Sequence, residues 1–439
     1  MTLHERDPRL EEAILAAAEE RLAADPPALG TTAEPGSFPA AITAEGLGAE
    51  RASELLLGAL MPSAIQVDHP RYLAFIPSAQ APASALADVL LSVNSVYGGT
   101  WLEGAGLVHA ENEALAWLAR IAGFPETAGG CFVQGGTNGN LSALHAARAA
   151  ARAAGRTATR VACSADVHSS VRTMLRVMDA DALDVPGGRL TGEALRAALD
   201  ADGDGVFAVA ATAGTTNLGL IDDLAGVADV CGELGLLLHV DGAYGLAALC
   251  APSARERLAG IERADSFIVD PHKWLFSPFD CCALVYRDPS LARAAHRQHA
   301  SYLEALYADD EAFNPSDYGV HLTRRARGLP FWFALAVHGT DAFAEAVETT
   351  LALTRAAAQE IAGRDELELL IEPPLSVLVF RRRGWRTADY DRWGATLRAS
   401  GTAFVIPTTV GGETVGRLAL VNPRTTLDDV RIVLDAMAG

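Results

Sequence analysis

Lys273 is the only lysine in the chain, against thirty-four arginines, and it stands in the run Asp270-Pro271-His272-Lys273-Trp274. An ε-amine that loses its proton can attack a carbonyl carbon and form an imine, whereas a guanidinium stays protonated. Lys273 is therefore a candidate Schiff-base lysine. The competing explanation is a codon bias that trades lysine for arginine and spares one by chance, so the neighbours have to decide. Asp241 closes the apolar run Leu236–Val240, thirty-two residues before Lys273. A carboxylate there is either a loop cap or the partner of a cation. The segment Gln134-Gly135-Gly136-Thr137-Asn138-Gly139-Asn140 leads into a helical pattern at 141–154. It offers free backbone N–H groups and a hydroxyl at a helix start, a phosphate cradle, although glycine turns before helices are common. His168, one of eleven histidines, follows a further apolar run and is either a ring available for stacking or a structural cap.

These residues need elements to bring them together. Short apolar runs at Arg160–Cys163, Val206–Ala210, Leu236–Val240 and Ser266–Val269 alternate with alanine- and leucine-rich helical patterns at 139–154, 191–201 and 222–234. That alternation predicts a mainly parallel sheet covered by helices on both faces. The polar candidates follow the strands at their C-terminal ends, the edge where open α/β sheets collect ligands. The expected organisation is a helical arm over 1–68, with a helix at 9–24 and a loop at 25–48, then a large α/β domain over 69–335. A small C-terminal α+β domain over 336–439 completes it, with a long helix to about 363, strands at Ser376–Phe380 and Arg417–Val421 and a last helix from Thr426.

Fifty-five acidic residues against thirty-five basic ones give a formal charge of -20, which argues against nucleic acid and anionic membranes as partners. The six cysteines show neither C-x-x-C pairs nor histidine-rich spacing, so no zinc site or disulfide framework is expected and no metal is assigned. No apolar stretch approaches eighteen residues and no signal peptide opens the chain, so a cytoplasmic protein is expected.

An imine-forming lysine, a carboxylate, a phosphate cradle and a stacking ring are together the parts that hold pyridoxal 5′-phosphate. The sequence resembles the group II pyridoxal-phosphate-dependent amino-acid decarboxylases, the family of the aromatic L-amino-acid and glutamate decarboxylases. The likeness runs in order through His69-Pro70-Arg71-Tyr72, Leu86-Ala87-Asp88, His168-Ser169-Ser170, Thr212-Ala213-Gly214-Thr215-Thr216, His239-Val240-Asp241-Gly242-Ala243-Tyr244, Ala264-Asp265-Ser266, Pro271-His272-Lys273-Trp274 and Asn422-Pro423. It implies a fold-type-I (aspartate-aminotransferase-like) enzyme whose partners are a small-molecule amino-acid substrate and a second copy of the chain in a homodimer. It further implies that Lys273 forms the imine with the cofactor, Asp241 pairs with the ring nitrogen and His168 stacks on the ring. Thr212 and Ala243 line the ring, and Gly136, Thr137, Asn138 and His272 approach the phosphate. Tyr302, with Tyr307 as competitor, falls where the family carries a tyrosine implicated in protonating Cα. Arg417 falls where glutamate decarboxylases hold a substrate carboxylate, and an ordinary ion-paired arginine is the alternative.

Two positions depart from the family pattern. Asp270 replaces the asparagine found before Pro-His-Lys in well-known members, and Gly98-Gly99 stands before Trp101 where aromatic decarboxylases place bulky groups. Phe75, Pro77, Tyr97 and Trp101 are the expected substrate walls. The expected reaction is α-decarboxylation of an L-amino acid to the amine. The alternatives are a decarboxylating aldehyde synthase, an aminotransferase, or a non-catalytic protein that binds the cofactor.

Overall fold

Residues 5–298 and 312–438 are described by the computed structural model of the chain. Its main sheet has seven strands in the order β1 (Gly129–Val133), β7 (Cys282–Tyr286), β6 (Ser266–Val269), β5 (Leu237–Asp241), β4 (Val206–Thr212), β2 (Arg160–Ser164) and β3 (Asp181–Val185). The four apolar runs read from sequence are β2, β4, β5 and β6, and neighbours from β6 to β3 pair in parallel. Strand β7 runs antiparallel to both β6 and β1. Helices cover both faces, so successive strand residues serve different cores: Val209 and Ala211 pack in one, Ala208 and Ala210 in another. The same alternation puts His239 and Asp241, two residues apart on β5, on one face.

That face receives α5 (Gly136–Ala153), which begins five residues earlier than the helical pattern suggested, so that Gly136, Thr137 and Asn138 form its first turn. Gly139 permits the close approach. A Cβ there would meet Ile268 Cγ2 on β6 at 2.6 Å. Helices α6 (Ser169–Val177), α7 (Gly192–Asp202) and α8 (Leu224–Leu234) follow β2, β3 and β4 as the crossover rule requires.

A second sheet, wholly antiparallel, runs β10 (Thr408–Val410), β11 (Glu413–Ala419), β9 (Val377–Arg382), β8 (Leu367–Leu369), with α11 (Thr387–Ala399) and α12 (Leu427–Asp435) beside it. Strand β11 starts at Glu413, not at Arg417, because its register with β10 extends it backwards; Leu420 and Val421 are buried beyond its end. Thr426 caps α12 through its side chain, as its position before the pattern foretold. The long helix α10 (Leu329–Ala362) is broken at Gly339, whose φ is 76°, and the boundary expected at 335/336 lies inside it. Its first part packs on α3 (Pro82–Asn94) and α4 (Trp101–Ile121), while Ala357, Ala358 and Ile361 enter the core of the small sheet. Residues 71–74 also join that sheet: Leu73 N donates to Phe404 O and Ala419 N donates to Leu73 O, each at 2.9 Å. The arm carries α1 (Pro8–Ala23), capped by Asp7 and with none of its residues buried, then no helix or strand until α2 (Ala49–Leu55).

Candidate active site

The C-terminal ends of β4, β5 and β6 open into a cleft of about 580 Å³. Lys273, Asp241, His168, Gly136, Thr137, Thr212, Ala243 and His272 line it, with Phe75 and Pro77 at its wall. Sequence positions more than a hundred residues apart are thus gathered by the ends of adjacent strands. Thr212 and Asp241 are directly opposed in the β4–β5 register.

Lys273 sits in the turn after β6. The turn is anchored by Trp274, which is fully buried, stacked on Tyr244 with ring centres 5.3 Å apart, and bonded through Nε1 to Thr350 Oγ1 at 2.9 Å. Asp270 N donates to Ala243 O at 2.9 Å, tying the turn to the end of β5. Lys273 Nζ lies 2.8 Å from Asp270 Oδ2. Burial pulls the Lys273 amine down, but the charge and hydrogen bond of Asp270 and the charge of Asp241 outweigh it and hold the amine above its ordinary range. Burial likewise pushes Asp270 up, and Lys273 with His272 pull harder, leaving its carboxyl below the usual carboxylate value. The second oxygen, Asp270 Oδ1, is buried without a hydrogen-bond partner. His272 accepts Cys281 N–H on Nδ1 at 2.9 Å, and burial lowers its pKa. Its Nε2 is 3.5 Å from Asp270 Oδ2.

Asp241 is held from two sides: Oδ1 accepts Ala243 N–H at 3.2 Å and Oδ2 accepts the Asn140 amide at 2.8 Å. His168 is the N-cap of α6, accepting Ser170 N–H on Nδ1 at 3.2 Å, and its ring is exposed to the cleft. Thr212 N donates to Asp222 Oδ2 at 2.7 Å, while Thr212 Oγ1 is buried without a partner. The N-terminus of α5 has no side-chain cap, because Gly135 stands at the N-cap. A Cβ on Gly136 would lie 3.1 Å from Ile268 Cδ1 and 3.4 Å from Ala243 Cβ, so glycine keeps that approach open.

Four sequence candidates stand elsewhere. Asn138 turns its amide to Gln134 Oε1 at 2.7 Å. Tyr97 donates its hydroxyl to Leu322 O at 2.8 Å, and Trp101 begins α4, partly exposed. Arg417 lies behind the wall. Its guanidinium donates to Thr216 O at 2.7 and 3.0 Å and to Phe75 O at 2.9 Å, and burial lowers its pKa to about 10. It thereby braces two segments that do line the cleft, and no ion pair to it is found among the described residues. Gly98 and Gly99 are packing requirements of the same chain, since a Cβ would meet Ala326 N at 2.8 Å and the Tyr97 hydroxyl at 2.3 Å respectively. Tyr302 and Tyr307 lie outside the described residues.

Sequence reasoning gave no role to Asn140, Ser170 or His239, although all three stand within the quoted motifs. The available signal was spacing: Gly136, Asn140 and Ala143 share the face of α5 that meets the sheet.

A family model described as the pyridoxal-dependent decarboxylase conserved domain matches residues 52–383. An aromatic-L-amino-acid decarboxylase of Bacillus atrophaeus is 32% identical over 381 residues, 83% of this chain and 79% of that one. An L-2,4-diaminobutyrate decarboxylase of Rhizobium meliloti (strain 1021) is 34% identical over 393 residues, 85% of this chain and 78% of that one. The crystal structure of Oryza sativa TDC with PLP and tryptamine matches with a TM-score of 0.89 at 24% identity, covering 100% of this chain and 99% of that one. At that identity the likeness establishes the fold, which is fold type I. The chain belongs to the pyridoxal-dependent decarboxylase family, the carboxy-lyases that act on amino acids with pyridoxal phosphate as cofactor. The cleft fits that cofactor on its own chemistry: an amine, a fixed carboxylate and an uncapped helix N-terminus line one space, and the Thr212 hydroxyl at its edge is buried without a partner.

Proposed function

We propose that the protein removes the α-carboxylate of an L-amino acid as CO2 and releases the amine. The observation that carries this reading is Lys273 facing the cleft with Asp241 on the adjacent strand end and the uncapped start of α5 at the same opening. Lys273 would hold the cofactor covalently. The Gly136 and Thr137 N–H groups and His272 would hold its phosphate, Asp241 would face the ring nitrogen, and His168, Ala243 and Thr212 would flank the ring. When bound, pyridoxal phosphate supplies an electron sink for the pair left on Cα as the carboxylate departs. The Asp241 carboxylate, held in place by Asn140 and the Ala243 N–H, would favour a proton on the ring nitrogen and so deepen that sink. Asp270 holds the proton on Lys273 Nζ until the amine is needed. Phe75 and Pro77, with Tyr72 and Ile76 beside them, wall the mouth against water and receive the substrate side chain.

We further propose that the working form is a homodimer. Helix α3 buries Ser84, Ala87 and Leu91 against its own chain and exposes Leu86, Val89, Leu90 and Val93 on the other side. A helix apolar on both faces is one that a partner covers. Tyr97 and Trp101, which do not line their own cleft, follow directly after that helix.

The test is a CO2-release screen over the twenty amino acids, hydroxylated aromatics and L-2,4-diaminobutyrate, with products identified by mass spectrometry. Wild type should yield CO2 and amine from at least one of them, and Lys273→Ala should yield none. Borohydride reduction of the holoprotein should tag the peptide that contains Lys273. Aldehyde with ammonia and peroxide in place of amine would move the reading to an aldehyde synthase, and full turnover by Lys273→Ala would end it.

A further inference from the structure

Beneath the cleft floor one chain of hydrogen bonds links β6, β5, α5 and α6. Ser266 Oγ meets His239 Nδ1 at 2.9 Å, and His239 Nε2 meets Asn140 Oδ1 at 2.9 Å. Asn140 Nδ2 reaches Asp241 Oδ2 at 2.8 Å and Ser170 Oγ at 3.0 Å. Ser170 Oγ then lies 2.8 Å from His168 Nδ1. Asn140 is wholly buried, and Ser266, His239, Asp241 and Ser170 nearly so.

Counting hydrogens fixes the direction of each bond. An asparagine amide nitrogen has two hydrogens, and both are spent, one on Asp241 and one on Ser170. Asn140 Oδ1 only accepts, so His239 Nε2 carries the hydrogen between them. Burial pushes the His239 imidazole down to about 4 against the opposing charge of Asp241, so the ring is neutral near pH 7 and its Nδ1 accepts from the Ser266 hydroxyl. Ser170 Oγ accepts from Asn140 and passes its own hydrogen to His168 Nδ1, which also receives Ser170 N–H. The bonds therefore run from Ser266 through His239 to Asn140, where they divide: one branch ends on the Asp241 carboxylate and the other passes through Ser170 to His168, each bond polarising the next.

Such a chain is expensive to bury unless every member is satisfied, and here every member is. We propose that Asn140 and His239 are positioning residues for the reaction: His239 fixes the Asn140 amide, and Asn140 locks the Asp241 carboxylate and, through Ser170, backs the His168 ring. The proposal rests on the roles given above to Asp241 and His168. With both oxygens of Asp241 held, the carboxylate cannot rotate away from the charge it must stabilise, which is preorganisation supplied from outside the cleft.

The first measurement needs no cofactor. Nitrogen NMR of 15N-histidine protein stripped of cofactor should show His239 with its hydrogen on Nε2 only, and in Asn140→Leu it should show a mixture of the two tautomers. With cofactor loaded, Asn140→Leu should keep the wild-type far-UV spectrum while kcat falls roughly ten- to a hundred-fold, the range seen when an outer-shell partner is lost. Its KM should stay within about twofold, since substrate contacts are untouched. The dichroism of the bound cofactor should weaken as the ring loses its fixed orientation. His239→Gln, whose amide can still donate to Asn140 Oδ1, should stay close to wild type, and His239→Phe should follow Asn140→Leu. A hydrogen on His239 Nδ1 in wild type, wild-type kcat in Asn140→Leu, or equal loss in His239→Gln and His239→Phe would each overturn the proposal. Failure of wild type to release CO2 from any amino acid would instead sink the decarboxylase reading, and would leave the tautomer result standing.

Discussion

Asp270 gives one oxygen to Lys273 and leaves the other buried without a partner. Only an unprotonated amine attacks a carbonyl, so the ion pair that keeps the proton on Lys273 Nζ must break before the cofactor is captured. Asp270→Asn keeps the size of the side chain and removes the charge. Burial then becomes the prevailing influence on Lys273 and its pKa falls. Cofactor-free Asp270→Asn should therefore capture pyridoxal phosphate faster at neutral pH, by roughly tenfold for each unit of that fall. Its rate should also stop rising at a lower pH than that of wild type, because the free amine saturates earlier. Stopped-flow absorbance from about pH 6.5 to about pH 9 reads both features; equal rates across that range would show that the proton is held by something other than Asp270. Lysine 273 itself was legible in the sequence because a lone amine among arginines stands out and its strand-end position could be read from the apolar run before it. The ion pair was not, since a turn's side-chain directions depend on how Trp274 and Ala243 anchor it.

Among the elements, α5 does the most to shape the cleft: its first turn is the candidate cradle and its Asn140 the brace of Asp241. Its distance from the sheet is set by Gly139, where a Cβ would stand 2.6 Å from Ile268 Cγ2 and 3.3 Å from Cys282 Sγ. Gly139→Ala gains about 1 kcal/mol of helix propensity and meets an overpacking cost of about 1–3 kcal/mol. The net should be a loss of stability of about 1 kcal/mol with a weaker grip on the phosphate, because the start of α5 is pushed off β6 while the Lys273 turn stays with it. Urea unfolding and a cofactor titration together check this, and a variant that is more stable and binds cofactor as before would refute the close-approach argument. Strands β2, β4, β5 and β6 could be read as apolar runs, and the glycine turn could be read as a helix start. Strands β1 and β7 could not. The first opens on Gly129-Gly130, where Gly130 serves a backbone contact with Leu284 O, and the reversed direction of β7 is decided by its partners on either side. The bond from His239 to Asn140 spans 99 residues, and no local pattern encodes such a pairing.

For the molecule as a whole, the question is whether one chain builds a complete site. Arg417 ties the small sheet to the wall segments at Phe75 and Thr216, so both sheets of one chain shape the cleft. Trp101 does not line it, and begins the helix that follows α3 in the chain. In the proposed dimer, covering the exposed apolar side of α3 would carry Trp101 toward the partner's cleft. Leu90→Glu with Val93→Glu places charge in the middle of the stripe, and sedimentation should then show a chain of half the mass. Complementation separates a shared site from simple packing. Lys273→Ala lacks the amine but keeps Trp101, and Trp101→Ala keeps the amine but should bind substrate poorly. Refolded together, the two chains form mixed dimers in which one of the two clefts has a normal Lys273 and receives a normal Trp101 from the other chain. Random pairing should then restore roughly a quarter of the wild-type rate from two nearly inactive parents. If Trp101 served only its own chain, the mixture would be no more active than the Trp101→Ala protein it contains, and a recovery of that size could not occur.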